Sequence, residues 1–200
     1  MKKTLFLFLL CIMMFSVTCL ADTSDNWHSY PIPETSLTVK FPNEYYVFYK
    51  GMENRNDCEK IIGISYEQII QLMDSRGALL LSISSDFNSE ITISANGVSE
   101  ELDFNDYPLY LLKQTSDEYA KYLEAAGAEV VDHGSCVVNG NNAMKFYVKI
   151  NNNGEIDYKA QYMTTYKSVS AIINTVLTSV DNPVSDDEID TLESIVGSIK

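Results

Sequence analysis

The chain has 200 residues and carries 28 Asp and Glu against 14 Lys and Arg, a net charge of -14 at neutral pH. So acidic a surface opposes nucleic acid and anionic lipid, which both demand positive charge, and fits solubility outside the cell. With two histidines in the whole chain a His-rich zinc centre such as HExxH is excluded, and no GxSxG, P-loop or Rossmann fingerprint is present.

Lys2 and Lys3 precede an apolar run from Leu5 to Leu20, and Ala21 leads into a polar stretch from Asp22. This is the order of a secretory signal peptide, residues 1–21, cut after Ala21. Two alternatives stay open. The segment approaches the ~17 apolar residues that a spanning helix needs, so it could remain as an anchor. Cys19 is placed for lipidation, although Ser16 and Thr18 before it match the usual Leu-x-(Ala/Gly)-Cys pattern poorly. Cleavage removes two lysines and no acids, leaving 12 basic against 28 acidic residues and a charge of -16. The expected location is secreted or extracytoplasmic.

Residues 22–35, with Pro31 and Pro33, read as an exposed lead-in without periodicity, and 36–200 as one domain able to bury its own core. Leu37, Val39 and Phe41 alternate as a first strand, and Tyr45 to Lys50 is a second that Gly51 closes, so the two read as a hairpin. A polar loop, Met52 to Lys60, follows. Ser65-x-x-Gln68 opens a helix in capping-box form, with Ile69, Leu72, Met73 and Arg76 on neighbouring positions and Gly77 as its stop. Leu79, Leu81 and Ile83, then Ile91 and Ile93, mark two further strands, turned at 86–89 and ended by Asn96-Gly97.

Glu100, Glu101, Asp103 and Asp106 then crowd together. They could supply oxygen ligands to calcium, but the spacing is not that of an EF-hand loop, and an acidic approach to a helix N-terminus accounts for the same residues. The helix that follows is expected from Asp106 or Tyr107 to about Ala126, burying Leu111, Leu112, Thr115, Tyr119, Tyr122 and Leu123, with a break near Gln114 if Thr115 and Glu118 form a second capping box. Gly127 ends it.

Residues 128–136 begin the second half of the sheet. From 142 to 177 Met144, Phe146, Val148 and Ile150, then Tyr158, Ala160, Tyr162 and Thr164, then Val169, Ala171, Ile173 and Thr175 alternate with period two, a three-stranded antiparallel meander. Its expected register sets Phe146 against Tyr158 and Val148 against Ile156, and around Lys167-Ser168 sets Tyr166 against Val169 and Tyr162 against Ile173. Ser185-x-x-Glu188 caps a last helix with the stripe Ile189, Leu192, Ile195, Val196 and Ile199.

Outside the signal segment, which holds Cys11 and Cys19, only Cys58 and Cys136 remain. They could form one disulfide, worth about 4 kcal/mol through its long loop, or stay as two buried thiols. Asp132, His133 and Cys136 invite a thiol-nucleophile reading. In a strand 133 and 136 point to opposite faces, and a bulge at Gly134-Ser135 would be needed to join them.

The segments KFPNEYYVFYKG (Lys40 to Gly51), IGISYEQIIQLMDSRGALLLSI (Ile62 to Ile83), QYMTTY (Gln161 to Tyr166) and LESIVGSI (Leu192 to Ile199) resemble the PsbP-like domains of exported Gram-positive bacterial proteins. The wider fold includes photosystem II PsbP and a Ran-binding nuclear import factor. The resemblance implies an α+β fold, an antiparallel β-sheet flanked by helices as an α/β/α sandwich, and it brings no catalytic residues. The chain departs from it at Lys167-Ser168, where Asn-Gly is expected, and in having Cys58 and Cys136. The function expected is a noncatalytic binding or accessory module of the cell envelope, with a protein or small-molecule partner and no cofactor. The alternative is an extracytoplasmic enzyme dependent on calcium at Glu100 to Asp106 or on the Cys136 thiol. A binding site is expected at the edges or turns of the sheet.

Overall fold

The computed structural model describes residues 26–52, 58–98, 102–152, 154–180 and 182–200. The expected signal segment, and Glu100 and Glu101, lie outside the described residues. Among the described residues nine strands run in order: β1 (Trp27–Pro31), β2 (Thr38–Pro42), β3 (Tyr45–Tyr49), β4 (Leu80–Ser84), β5 (Ser89–Gly97), β6 (Glu129–Val138), β7 (Asn141–Asn152), β8 (Glu155–Tyr166) and β9 (Val169–Val180). The helices are α1 (Cys58–Ile62), α2 (Tyr66–Ser75), α3 (Leu109–Ala125) and α4 (Asp186–Gly197), with a 3₁₀ turn at Phe104–Asp106. β3 to β9 make one antiparallel sheet in the order β3-β4-β5-β9-β8-β7-β6, and β1 and β2 make a separate two-stranded one. The α+β architecture with a flanked antiparallel sheet is therefore what the chain adopts.

The two capping boxes are both formed. The Ser65 and Ser185 side chains accept from the backbones of Gln68 and Glu188, whose side chains return to the cap nitrogens, and α2 and α4 start there. Where the expectations fail, tertiary pairing is the reason. β2 and β3 do not form a hairpin: the chain crosses between the two sheets at Asn43 and Glu44, so β2 pairs with β1 and β3 with β4. The lead-in accordingly holds a strand, and Ile32 behind it is fully buried. The long helix is unbroken through Gln114, because the Thr115 hydroxyl bonds back to the Leu111 carbonyl at 3.1 Å instead of capping a new helix. Its buried line is Leu112, Ser116 and Ala120, while Leu111 and Tyr122 face solvent.

The meander is present with a different register. Asn152 pairs with Glu155, so Phe146 meets Gln161 while Val148 meets Lys159. The odd-numbered offset puts Tyr158 on the face opposite Phe146. Tyr166 does meet Val169, yet Tyr162 meets Thr175, because the ladder shifts between Thr165 and Tyr166. Thr165 is held there by other bonds: its Oγ1 accepts from the Phe104 backbone at 2.6 Å and donates to Asp103 at 3.4 Å.

The register sorts the sheet into two faces. Phe48, Leu81, Thr92, Val176, Gln161, Phe146 and His133 lie in one row on the front; Leu80, Ile93, Thr175, Tyr162, Lys145 and Gly134 lie in one row on the back. The front is covered at its β3–β4 end by α1 and α2, with Cys58, Ile69 and Met73 against Phe48 and Leu81. At its other end α3 and the 3₁₀ turn lay Leu112 and Phe104 on Met144, Phe146, Val148 and Met163. The back carries the main core, in which Phe41 and Val39 of the small sheet and Leu192, Ile195, Val196 and Ile199 of the α4 region cover Ile91, Ile173, Leu177 and Tyr162. The C-terminal residues complete the small sheet, since Lys200 exchanges two backbone hydrogen bonds with Thr38, at 2.9 and 3.1 Å.

Candidate functional site

Helix α4 shows two stripes. Leu192, Ile195 and Val196 face the core. Asp190, Glu193, Ser194 and Gly197, at spacings of three and four, run beside them and form one wall of an open groove of about 780 Å³. Val137, Val138 and Asn139, from β6 and the turn after it, line it as well, as do Trp27 of β1, Lys40 of β2 and Ser198. The groove thus joins the last helix, the small sheet and a turn of the main sheet.

Each lining segment has a local reason to be where it is. The turn between β6 and β7 is Asn139-Gly140, with φ of 47° and 83°, the left-handed pair that a two-residue hairpin demands. The Asn139 amide donates to the Gly197 carbonyl at 2.6 Å, capping the C-terminal end of α4. Gly197 permits this contact, since a Cβ there would stand 3.0 Å from that of Asn139. The Lys40 backbone N–H donates to Ser198 Oγ at 2.8 Å, tying β2 to the chain beyond α4. Asn139→Ala, which loses the cap and keeps the positive φ, is expected to lower stability by about 1–2 kcal/mol in urea unfolding; an unchanged midpoint would show that the cap contributes nothing.

Glu193 is anchored from below. The Tyr162 hydroxyl donates to its Oε1 at 2.6 Å and lies 3.0 Å from the Tyr147 hydroxyl. An ionised carboxylate only accepts, so Tyr162 donates to Glu193 and Tyr147 donates to Tyr162, a chain of bonds in one direction. Burial first, then the bond to Glu193, hold the Tyr162 hydroxyl protonated far above its ordinary range. Lys145 stands over the Tyr147 ring, 5.3 Å from its centre. Among the described residues no ion pair is formed by the Lys40 ammonium, or by the Asp190 or Glu193 carboxylate.

The residues singled out in the sequence lie elsewhere. Asp103 caps the 3₁₀ turn: its Oδ1 accepts from the Asn105 backbone and side-chain amides, both at 2.9 Å. Its Oδ2 has no hydrogen-bond partner among the described residues and faces the Lys167 ammonium at 3.7 Å. This pairing gives Lys167 a role in the turn where Asn-Gly was expected. Asp106 is exposed, and α3 begins after Pro108 with no acid in its first turn. Among the described residues no three His, Cys, Asp or Glu side chains come together as metal ligands.

No disulfide joins Cys58 to Cys136. Cys58 packs beside β4 and Cys136 is on β6, five strand spacings away, roughly 24 Å at about 4.8 Å each, against a Cα limit of about 7 Å. The thiol reading fails on direction as well. His133 is on the front, its Nε2 3.0 Å from Asp117 Oδ1, while Cys136 is on the back, and the ladder shift falls between Val130 and Asp132 instead of at Gly134-Ser135. Burial pushes the Cys136 thiol above its ordinary value. A thiol reagent at pH 8 is therefore expected to modify Cys136 more slowly in the folded protein than in the same chain in urea; a faster reaction in the folded state would mean an activated thiol.

Sequence reasoning did not single out Trp27, Lys40, Asn139, Asp190 or Glu193. The available signal was the polar stripe Asp190, Glu193, Ser194, Gly197 next to the apolar one, together with the chain's one tryptophan lying outside any core pattern.

No family model matches the chain, and no curated protein matches it. Among solved structures the chain is similar to the Saccharomyces cerevisiae Ran-binding protein Mog1p, at 9% identity and a TM-score of 0.48, over 88% of this chain and 95% of that one. It is similar to LpqN, involved in cell envelope biogenesis of Mycobacterium tuberculosis, at 19% identity and a TM-score of 0.40, over 90% and 92%. A Bacteroides thetaiotaomicron structure matches at 11% identity and a TM-score of 0.42, over 82% of this chain and 44% of that chain, so this chain spans less than half of its length. The α+β architecture rests on the chain's own sheet and helices.

Proposed function

We propose that the chain is a noncatalytic binding or accessory module of the bacterial cell envelope, exported by residues 1–21, and that it receives its partner in the groove between α4, the small sheet and the β6–β7 turn. The observation that carries this is the groove itself, a concave surface with an aromatic side chain and charged groups that form no ion pair among the described residues. Its volume falls within the roughly 300–1,000 Å³ of ordinary ligand sites. The side chains lining it are suited to recognition: a carboxylate held in place by Tyr162, a second carboxylate, an ammonium and an indole. The net charge of -14 supports a partner other than nucleic acid.

The test is capture from envelope extract on immobilised wild-type protein and on a Trp27→Ala, Glu193→Gln double variant. An envelope component, protein or small molecule, retained by the first and lost from the second is the expected result. Equal retention on both would move the site away from the groove, and retention of nothing beyond an unrelated acidic control would end the binding-module reading.

A further inference from the structure

The charges along the groove are of both signs. Asp190 and Glu193 line the helical wall, and Lys40 and Trp27 line it from the small sheet. A purely cationic ligand would meet the Lys40 ammonium, a purely anionic one the two carboxylates, and a neutral sugar on the indole would leave all three charges unanswered. A ligand with one charge of each sign answers them together.

The groups differ in how firmly they are placed. Glu193 is fixed by the Tyr162 hydroxyl, which is itself fully buried and in contact with Tyr147, so one carboxylate oxygen is engaged below while the other is left to the groove. A carboxylate already immobilised gives up little rotamer freedom when it accepts a further donor. Lys40 is tied through its backbone to Ser198, and Asn139 bonded to Gly197 ties the β6–β7 turn to α4. The backbone around the groove is thus tied together, and the Glu193 carboxylate is set before any ligand arrives.

We propose that this groove is a binding site for a short zwitterionic peptide, its ammonium received by Glu193 with Asp190, its carboxylate by Lys40, and an apolar side chain laid against the Trp27 indole. The proposal rests on the binding-module reading and narrows it to one class of ligand.

Trp27 is the chain's one tryptophan, so its emission reports on this groove alone. The probes are the dipeptide Ala-Leu, its N-acetyl form without an ammonium, and its C-terminal amide without a carboxylate. Saturable change in Trp27 emission is expected with Ala-Leu, with each capped form about tenfold weaker, the factor one charge-assisted hydrogen bond supplies. Glu193→Gln, which keeps an acceptor for Tyr162, should erase the discrimination against the N-acetyl form, and Lys40→Met that against the amide. No saturable change up to about 10 mM, weaker than any useful recognition, or equal binding of capped and uncapped probes, overturns the proposal. The two readings fail separately. If no dipeptide binds while the groove variant still loses its envelope partner, the ligand class is wrong and the binding module stands. If the dipeptides follow the charge pattern while envelope capture ignores the variant, the peptide site stands and the envelope partner falls.

Discussion

Tyr162→Ala is expected to cost about 3–5 kcal/mol of unfolding free energy, the range for truncating a buried aromatic side chain. Tyr162 is 0% exposed and lies on the back of the sheet between Thr175 and Lys145, beneath α4. Truncation leaves a cavity under the helix and removes the donor that fixes Glu193. Tyr162→Phe isolates the second effect: the ring stays, Glu193 and Tyr147 lose their shared partner, and the cost falls to about 1–3 kcal/mol. Urea unfolding followed by Trp27 emission and by circular dichroism measures both. A phenylalanine variant as stable as wild type would mean that the bond from Tyr162 to Glu193 does not form.

The same residue gives the protein an alkaline limit. Tyr162, Tyr30, Tyr45 and Tyr166 all hold their protons above the ordinary value of 10.0, burial being the first cause for each. The unfolded chain releases those protons near pH 10 while the folded chain keeps them. The stability they contribute is complete well below pH 10 and declines as the pH rises through and beyond it. Urea midpoints at pH 8, 10 and 11 should fall mainly over the last interval, with a smaller fall as pH 10 is approached. A fall between 8 and 10 as large as that between 10 and 11 would place the cause in other groups.

Phe146→Ala should be as damaging, at about 3–5 kcal/mol, for a reason on the other face of the sheet. Phe146 is 0% exposed beneath α3, edge-on to Tyr119 at 5.1 Å between ring centres and parallel to His133 at 6.5 Å. Removing its ring undoes the seat of α3 on β6 and β7. A double-mutant cycle with Tyr119→Ala should give a coupling of about 0.5–1.5 kcal/mol, the usual worth of an aromatic pair. Additivity of the two substitutions would mean that the rings do not meet, and with that the front-face register of β7 would be wrong.

What could be read from the sequence divides by range. α2 and α4 were legible because a serine and a Gln or Glu three residues later settle a helix start locally. The strands of the meander were legible from their alternation, and their register was not. β7 and β8 carry large side chains on both faces, Phe146 and Met163 in front, Tyr147 and Tyr162 behind, so burial alone does not choose between pairings. The pairing of Asn152 with Glu155 chooses, and a run of three asparagines before a glycine does not reveal which of them ends the strand. β2 and β3 misled for a related reason, since strands adjacent in sequence usually pair. Here Asn43 and Glu44 carry the chain from one sheet to the other. The groove was the least legible part. Trp27 and Lys40, Asn139, and Glu193 come from three separate stretches, and no local pattern brings them together.

The order of strands in the main sheet also says how the chain can be assembled. β3 with β4 and β4 with β5 pair through nearby segments, and so do β6, β7, β8 and β9 in turn. Only β5 with β9 joins residues 74 to 90 positions apart. Two half-sheets can therefore form independently, and the slow event is the closing of one long loop at the seam between them. Pulse-labelled hydrogen exchange during refolding should protect the ladder amides within β6 to β8 before those shared by β5 and β9; simultaneous protection would show one concerted step. Until the seam closes, the facing edges of both half-sheets stand open to strands of other molecules, so the hazard in making this protein is a transient one, highest where refolding is slow and the chain concentrated.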